Sequence, residues 1–350
     1  MDKLAVVILN WNGIDYLKRF LPGVIANTTA AGSRIWVVDN GSEDGSTEWL
    51  EEEYDNRISL LKFEENLGYA GGYAAALDRI EAEYYILLNS DIEVTKGWTE
   101  PLIDYMDSNP DTAASQPKIL SWHDRKRFEY AGAAGGFIDK YGYPFCRGRI
   151  FHVTEEDSGQ YDDTRELFWA SGACLMVRAD HYRETGGLCS RFFAHMEEID
   201  LCWRMQMQGR KITAVPSSVV YHVGGGTLSY NTPGKTYLNF RNNLFMLYRN
   251  LPRERLRKIL FGRRILDGIA ALKYLLTLNY RHFAAILRAH RDFRRSLEQL
   301  RRERRQIDAI VKNRYLPDTL ILNKSIVWLF YYKGKKHFSE IVAMLRPVGE

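Results

Sequence analysis

Within its first ninety residues the chain alternates four times between a short apolar run and a polar stretch, and this constrains the fold more than anything else in it. The apolar runs are Leu4–Leu9, Arg34–Val38, Ile58–Phe63 and Tyr84–Leu88. Between them lie helical patterns: Leu17, Phe20, Leu21 and Val24 on one face, then Glu43–Tyr54, then the small-residue stretch Gly71–Ile80. Strand-length runs that are apolar throughout suit strands buried on both faces. Their alternation with helices predicts an α/β fold, a mainly parallel sheet with right-handed crossovers. Each run also ends in small polar residues: Asn10-Trp11-Asn12-Gly13, Asp39-Asn40-Gly41-Ser42, Asn66-Leu67-Gly68 and Asn89-Ser90-Asp91. In such a sheet these ends share one rim, and ligands bind outside it.

The rim belongs to neither common phosphate-binding class. No GxGxxG follows the first strand, and no GxxxxGK[ST] occurs. Asp91 after the fourth strand is sited to hold a hard cation that bridges a diphosphate, although Asn-Ser-Asp alone is also ordinary turn chemistry. Gly68, Gly71 and Gly72 allow close backbone approach and open a helix whose N–H groups attract an anion; tight packing is the plainer explanation.

Beyond a helix at Trp98–Met106 the pattern loosens. Ala113–Gln116 and Phe128–Ile138 read as short strands and hairpins, and 139–165 as a polar loop. Phe168-Trp169-Ala170-Ser171-Gly172-Ala173 runs into a strand at Cys174–Arg178, followed by a helix at Ala179–Thr185. A second polar cluster, Phe192–Arg204, sets Glu197, Glu198 and Asp200 at a helix start, where acids complement the dipole. The aromatics and His195 before them predict a pocket wall instead. Final strands at Ile212–Val215 and Val219–Val223 carry His222 into Gly224-Gly225-Gly226.

Net charge is +4, but residues 241–315 hold 20 Lys and Arg against 6 Asp and Glu. Helical patterns continue there, and one is arginine-rich, from Phe283 to Ile310 with Arg288, Arg291, Arg294, Arg295, Arg301, Arg302, Arg304 and Arg305 off its apolar face. This predicts a C-terminal helical region over 251–350 beside a main domain over 1–250. The first-ranked partner is an anionic membrane surface, followed by packing or a homo-oligomer; no module supports nucleic acid. Ser325–Tyr332, apolar next to Lys333, Lys335 and Lys336, fits the same surface but is too short to span it. The four cysteines show no CxxC spacing and no signal peptide precedes the first strand, so a cytoplasmic, peripheral protein is expected.

Taken in order, VVILNWNG, VVDNGSEDGS, NLGYAGG, LLNSDIEV, FWASGACLMVRAD, MEEIDLCWR and VVYHVGG resemble a family 2 glycosyltransferase of the GT-A fold across about residues 4–250. The chain is most similar to rhamnosyltransferase-like members that extend lipid-linked polysaccharide precursors. The resemblance implies a UDP- or dTDP-sugar donor, with rhamnose the first expectation, and a lipid-linked or polysaccharide acceptor. It implies that Asp39 hydrogen-bonds the pyrimidine, that Asn12, Asn66 and Gly68 line the nucleotide, and that Asn89 joins them beside Asp91. Asp91 and His222 would hold Mn2+ or Mg2+, and Glu198 would be the base. Trp169, Ser171 and Gly172, with Glu197 and Asp200, would shape the acceptor pocket. The family's usual DxD reads Asn89-Ser90-Asp91 here, its usual Asp base reads Glu198, and Tyr73-Ala74 replaces the Asn after NLGxAGG, which implies donor contacts either lost or replaced by stacking on Tyr73.

The chemistry is coherent beside the family. A sugar diphosphate needs its leaving charge neutralised, a hydroxyl acceptor needs a base, and one base opposite the diphosphate gives inversion. Two alternatives remain at this point: a sugar-nucleotide pyrophosphorylase, and an inactive homologue acting as a binding subunit.

Overall fold

The long apolar runs become strands because both faces of the sheet they enter are covered. The computed structural model describes residues 1–54, 56–224, 232–311, 313–314 and 319–345; Gly225 and Gly226 lie outside them. The N-terminal half runs β1 (Asp2–Asn10), α1 (Ile14–Asn27), β2 (Ser33–Asn40), α2 (Ser46–Tyr54), β3 (Ser59–Phe63), α3 (Gly68–Leu77), β4 (Ala82–Asn89), β5 (Ile92–Val94), α4 (Glu100–Ser108) and β6 (Thr112–Ser121). Next come β7 (Gly136–Asp139), β8 (Pro144–Cys146), β9 (Arg149–Ile150), β10 (Val153–Thr154), β11 (Arg165–Glu166), β12 (Cys174–Arg178), α5 (Ala179–Glu184), α6 (Glu197–Met207) and β13 (Lys211–His222). The chain ends with α7 (Pro233–Asn250), α8 (Arg253–Leu276), α9 (Tyr280–Arg295), α10 (Leu297–Ile310), β14 (Ile321–Leu322) and α11 (Ile326–Tyr331).

The main sheet has the order β11-β13-β6-β12-β4-β1-β2-β3. The four predicted strands β4-β1-β2-β3 are parallel, while β12 runs antiparallel between β4 and β6. Alternate residues of β1 enter opposite cores: Ala5 and Val7 one, Leu4, Val6 and Ile8 the other. That two-sided burial is why the runs carry no polar alternation. Register aligns the strand ends, with Asn10 opposite Asp39 and Leu9 opposite Asn89. The short β5 pairs with β13 and sets His222 opposite Ile92, next to Asp91.

Three local expectations change. The expected strands Ile212–Val215 and Val219–Val223 are, up to His222, one strand, β13, whose register against β6 shifts between Ala214 and Val219, around Pro216. Proline has no N–H for the ladder, so the pairing slips there without the strand ending. The stretch 139–165 is not merely loop: it supplies β8, β9 and β10 to a second sheet, β10-β9-β8-β7-β14. Its last member comes from the far end of the chain, pairing parallel with β7. Asp139 reinforces that junction by accepting from Tyr141 N, Tyr143 N and Ile326 N.

The arginine-rich stretch is two helices, α9 and α10, meeting at Ser296. Its apolar face is not free for a membrane. Ile286, Ala289, Phe293, Leu300 and Ile307 are all buried, with Phe293 against Phe245 and Tyr248 of α7. Arg304 is buried too, donating to the carbonyl oxygens of Tyr248 and Leu251 at 2.6 Å each. Side chains from both sides of residue 250 share one core. Among the described residues no helix is long and apolar enough to cross a membrane.

Candidate active site

The strand ends of the main sheet, the segment 169–173 and the start of α6 enclose a cavity of about 420 Å³. Of the residues singled out from the sequence, Asn66, Gly68, Asn89, Asp91, Trp169, Ser171, Gly172, Glu197, Glu198 and His222 line it.

Asp91 and His222 meet through the pairing of β5 with β13. Asp91 is buried, and its Oδ1 lies 3.1 Å from His222 Nε2. On the other side of the ring, His222 Nδ1 lies 3.1 Å from Glu129 Oε2, an ion-pair distance without hydrogen-bond alignment. Burial disfavours the imidazolium, but the charges of Glu129 and Asp91 outweigh it and hold the His222 pKa up at about 10. Burial likewise works against the Asp91 carboxylate, and the His222 charge still brings its pKa below the ordinary value. Glu129 was not anticipated; it lies among the glycine-rich hairpins, where no strand-end signal marks it.

Glu197 and Glu198 open α6 after a strained approach. Phe193, His195 and Met196 all have positive φ, of 64°, 71° and 75°. Such conformations persist only where the surroundings enforce them. Here the Asn242 side-chain amide of α7 donates to the carbonyls of Phe192, Ala194 and His195 at 2.8, 2.8 and 2.7 Å. Gly68, itself at φ +75°, lies under the Phe193 ring, where a Cβ would sit 2.4 Å from Cδ2. The result turns both carboxyls into the cavity. Burial pushes Glu198 up to about 7, against backbone hydrogen bonds that lower it. Burial, then the neighbouring Glu198 charge, raises Glu197 well above the carboxylate range. The predicted pocket wall consists of Phe193 and His195, whereas Phe192 is core.

The opposite wall is held by backbone contacts. Trp169 donates from Nε1 to Phe137 O at 3.0 Å, with its ring seated on Gly136. Ser171 N donates to Gln116 Oε1 at 2.9 Å, and Tyr69 OH to Gly172 O at 2.6 Å. Near the β2 end Asn40 donates to Asn66 Oδ1 and accepts from Leu67 N, at 3.0 and 3.1 Å. Asn40, Arg149 and Lys235 also line the cavity and were not singled out from sequence as site residues.

Four expected positions fall elsewhere. Asp39 is outside the lining, at the end of β2, where its Oδ1 accepts from Asn10 and its Oδ2 from Ser42 N. Asn12 is also outside, its side chain accepting from Glu43 N at 2.8 Å. Asp200 is fully buried on the side of α6 that faces α7, bonded to Arg204, Arg249 and Asn250. One helical turn separates residues three or four apart, so Glu197 and Asp200 could share a face; the cations of α7 and of α6 itself draw Asp200 inward instead. Tyr73 offers no stacking surface; it is core, with its hydroxyl donating to Leu88 O at 3.0 Å.

The description Glycosyl transferase family 2 matches residues 5–182. N-acetylglucosaminyl-diphospho-decaprenol L-rhamnosyltransferase of Mycobacterium tuberculosis is 27% identical over 236 residues, covering 63% of this chain and 76% of that one. Low-salt glycan biosynthesis hexosyltransferase Agl10 of Haloferax volcanii is 23% identical, covering 69% and 74%. Among solved structures, S. aureus TarS 1–349 superposes with a TM-score of 0.54 at 14% identity, over 91% of this chain and 84% of that one. GalNAc-T7 with UDP, GalNAc and Mn2+ superposes at 0.55 and 15%, over 72% of this chain but only 49% of the other. At such identities the structural likeness speaks for the fold alone, which is GT-A.

Proposed function

The chain belongs to glycosyl transferase family 2, and from that premise we propose an inverting transferase that moves a sugar, rhamnose first, from a UDP- or dTDP-sugar to a hydroxyl of a lipid-linked or polysaccharide acceptor. One observation carries it: Asp91, His222 and Glu198, far apart in sequence, line one cavity. The mycobacterial relative, by its name, acts on a lipid diphosphate, and this supports a lipid-linked acceptor and a peripheral place at the cytoplasmic membrane face.

The pair Asp91 and His222 fits a divalent ion, Mn2+ or Mg2+, provided the ion displaces the His222 proton that the Glu129 and Asp91 charges hold, since a ligating imidazole is neutral. Their donor atoms are 3.1 Å apart and both residues line the cavity, so one ion there would touch both. Two protein ligands would leave positions for diphosphate oxygens and water. A cation there supplies Lewis-acid neutralisation of the leaving diphosphate.

The remaining work falls to the chain. Glu198, its pKa near the working pH, takes the proton of the acceptor hydroxyl as that oxygen bonds the anomeric carbon and the bond to the diphosphate breaks. A single base acting opposite the leaving group gives inversion. Glu197, kept neutral by burial, offers a hydrogen-bond donor beside it. Asn40, Asn66, Gly68 and Asn89 border the nucleotide end, and Trp169, Ser171 and Gly172 the acceptor end.

The test is nucleotide release from UDP- and dTDP-sugars by the purified chain with Mn2+, with Glu198→Gln and Asp91→Ala as controls. UDP or dTDP release that both substitutions abolish, with circular dichroism unchanged, is the expected result. Pyrophosphate release, or full turnover by Glu198→Gln, refutes the assignment.

A further inference from the structure

Helix α8 is amphipathic the wrong way round for a helix packed on a water-soluble body. Facing inward are Leu260, Arg263, Asp267 and Ala271, all buried. Arg263 Nε donates to Asp267 Oδ1 at 2.6 Å, and His290 Nε2 lies 2.9 Å from Asp267 Oδ2. Facing outward are Phe261, Ile265, Ile269, Leu272 and Leu276, which are 65, 51, 60, 52 and 74% exposed. Their spacing of four, four, three and four residues makes one continuous stripe. It extends through Leu278 and Tyr280, 70 and 58% exposed, into the turn before α9. From the C-terminal segment Trp328, Tyr331 and Tyr332 are exposed as well, and Lys273 Nζ, 5.7 Å from the Tyr331 ring centroid, joins the two parts.

We propose that this face docks on an anionic lipid bilayer. Isolated exposed apolar residues are unremarkable, but a contiguous band rimmed by charge marks an interaction surface. The rim is cationic. Helix α8 holds seven Lys and Arg against two acids, one of them the buried Asp267. Arg257, Lys258, Arg264, Lys273, Lys333 and Lys336 are exposed beside the apolar band. Apolar centre and basic border complement anionic headgroups over acyl chains. A second copy is a poorer fit, because a two-fold contact sets each cationic border against another.

The face also abuts the cavity. Lys235 lines the cavity, and the neighbouring Thr236 Oγ1 lies 2.9 Å from His282 Nδ1, whose ring stacks on Tyr274 of α8. On the other side Tyr331 packs on Phe151, two residues past the cavity residue Arg149. A docked molecule thus brings its cavity to the headgroup layer, where a lipid-linked hydroxyl lies; this part rests on the function proposed above, whereas the docking does not.

The full chain is tested by cosedimentation with phosphatidylcholine vesicles, with and without about a third phosphatidylglycerol, beside Ile269→Glu/Leu272→Glu and Lys333→Glu/Lys336→Glu. Both substituted pairs are exposed in the fold, and circular dichroism checks that it is kept. The wild type is expected to bind the anionic vesicles, less so as salt rises, and each double variant to partition about tenfold less or weaker still. Absence of binding, equal binding to neutral vesicles, or unchanged binding by both variants overturns the proposal. So does a wild-type dimer in light scattering that Ile269→Glu/Leu272→Glu dissolves, which would assign the face to a second copy. Glu198→Gln should bind vesicles like the wild type, so failure of docking and failure of the catalytic assignment are read separately.

Discussion

Asp200→Asn distinguishes an acid that faces substrate from one that holds the site together. Asp200 lies one residue past Ile199 in α6 and is fully buried. Its Oδ2 accepts from Arg204 Nε at 2.9 Å, and its Oδ1 from Arg249 Nε at 3.0 Å and Asn250 Nδ2 at 2.7 Å. Arg249 and Asn250 belong to α7, so this carboxylate ties the helix carrying Glu197 and Glu198 to its neighbour. Removing one partner of a buried ion pair costs about 3–5 kcal/mol, mostly through the charge left behind. After the substitution Arg249 still has Glu303, while Arg204 is left with the carbonyl oxygens of Thr185 and Gly187. Asparagine also keeps one acceptor oxygen. The expected loss is therefore near the low end, about 3 kcal/mol. Alanine, which also removes the acceptors and leaves a void, should lose about 4–5 kcal/mol.

The sign of its pH dependence follows. Burial works to raise the Asp200 pKa, but Arg249 and Arg204 hold it below the ordinary value. Its contribution is present above the unfolded-state pKa of about 3.9 and is lost as pH falls through the lower native value. The gap between wild type and Asp200→Asn should thus be full at neutral pH and narrow below about pH 4. Urea unfolding followed by circular dichroism across that range measures it. A variant that unfolds like the wild type at neutral pH, yet shows a much higher acceptor KM, would refute the reasoning and return Asp200 to the acceptor site.

Further outcomes are expected. Glu198→Gln should lower turnover by about 10²–10⁴, and the wild-type kcat/KM should rise with pH through about 7, where Glu198 loses its proton; a flat profile argues against this base. Asp91→Ala should remove both Mn2+-stimulated nucleotide release and the thermal shift that nucleotide-sugar with Mn2+ produces, while nucleotide-sugar shifts of wild-type size would rule it out as a ligand. Burial pushes Asp139 up to about 6; a raised carboxyl favours folding below the unfolded value and loses that contribution as pH rises through the native one, so wild-type stability should fall between about pH 4 and pH 6 relative to Asp139→Asn. The slope difference between the two proteins is the readout, and parallel curves would contradict the burial argument.

Much of the cavity was legible because its residues sit at strand ends, which punctuation in the sequence marks. Asp91 and Asn89 follow a run that is apolar throughout, and His222 closes another. Glu129 and Arg149 carry no such mark. The first lies in an irregular hairpin, and the second in a two-residue strand of a sheet completed by residues 321–322. Asp39 and Asp200 show what a local pattern leaves out. Both have the residue type and position of ligand-binding acids, but Asn10, 29 residues away in sequence, bonds one Asp39 oxygen, and Arg249, 49 away, bonds Asp200.

By itself the sequence determined which segments become strands and where the parallel sheet has its rim, because apolar runs and turn residues act locally. It also determined that the C-terminal region is helical and basic. Only the tertiary structure decided which helical face remains uncovered. The arginine-rich α9 and α10 look interfacial in one dimension, yet α7 occupies their apolar side. Helix α8, less conspicuous as a pattern, buries its ion pair and leaves its apolar stripe outside. Amphipathicity is a property of a segment, but exposure depends on what the rest of the chain packs against it.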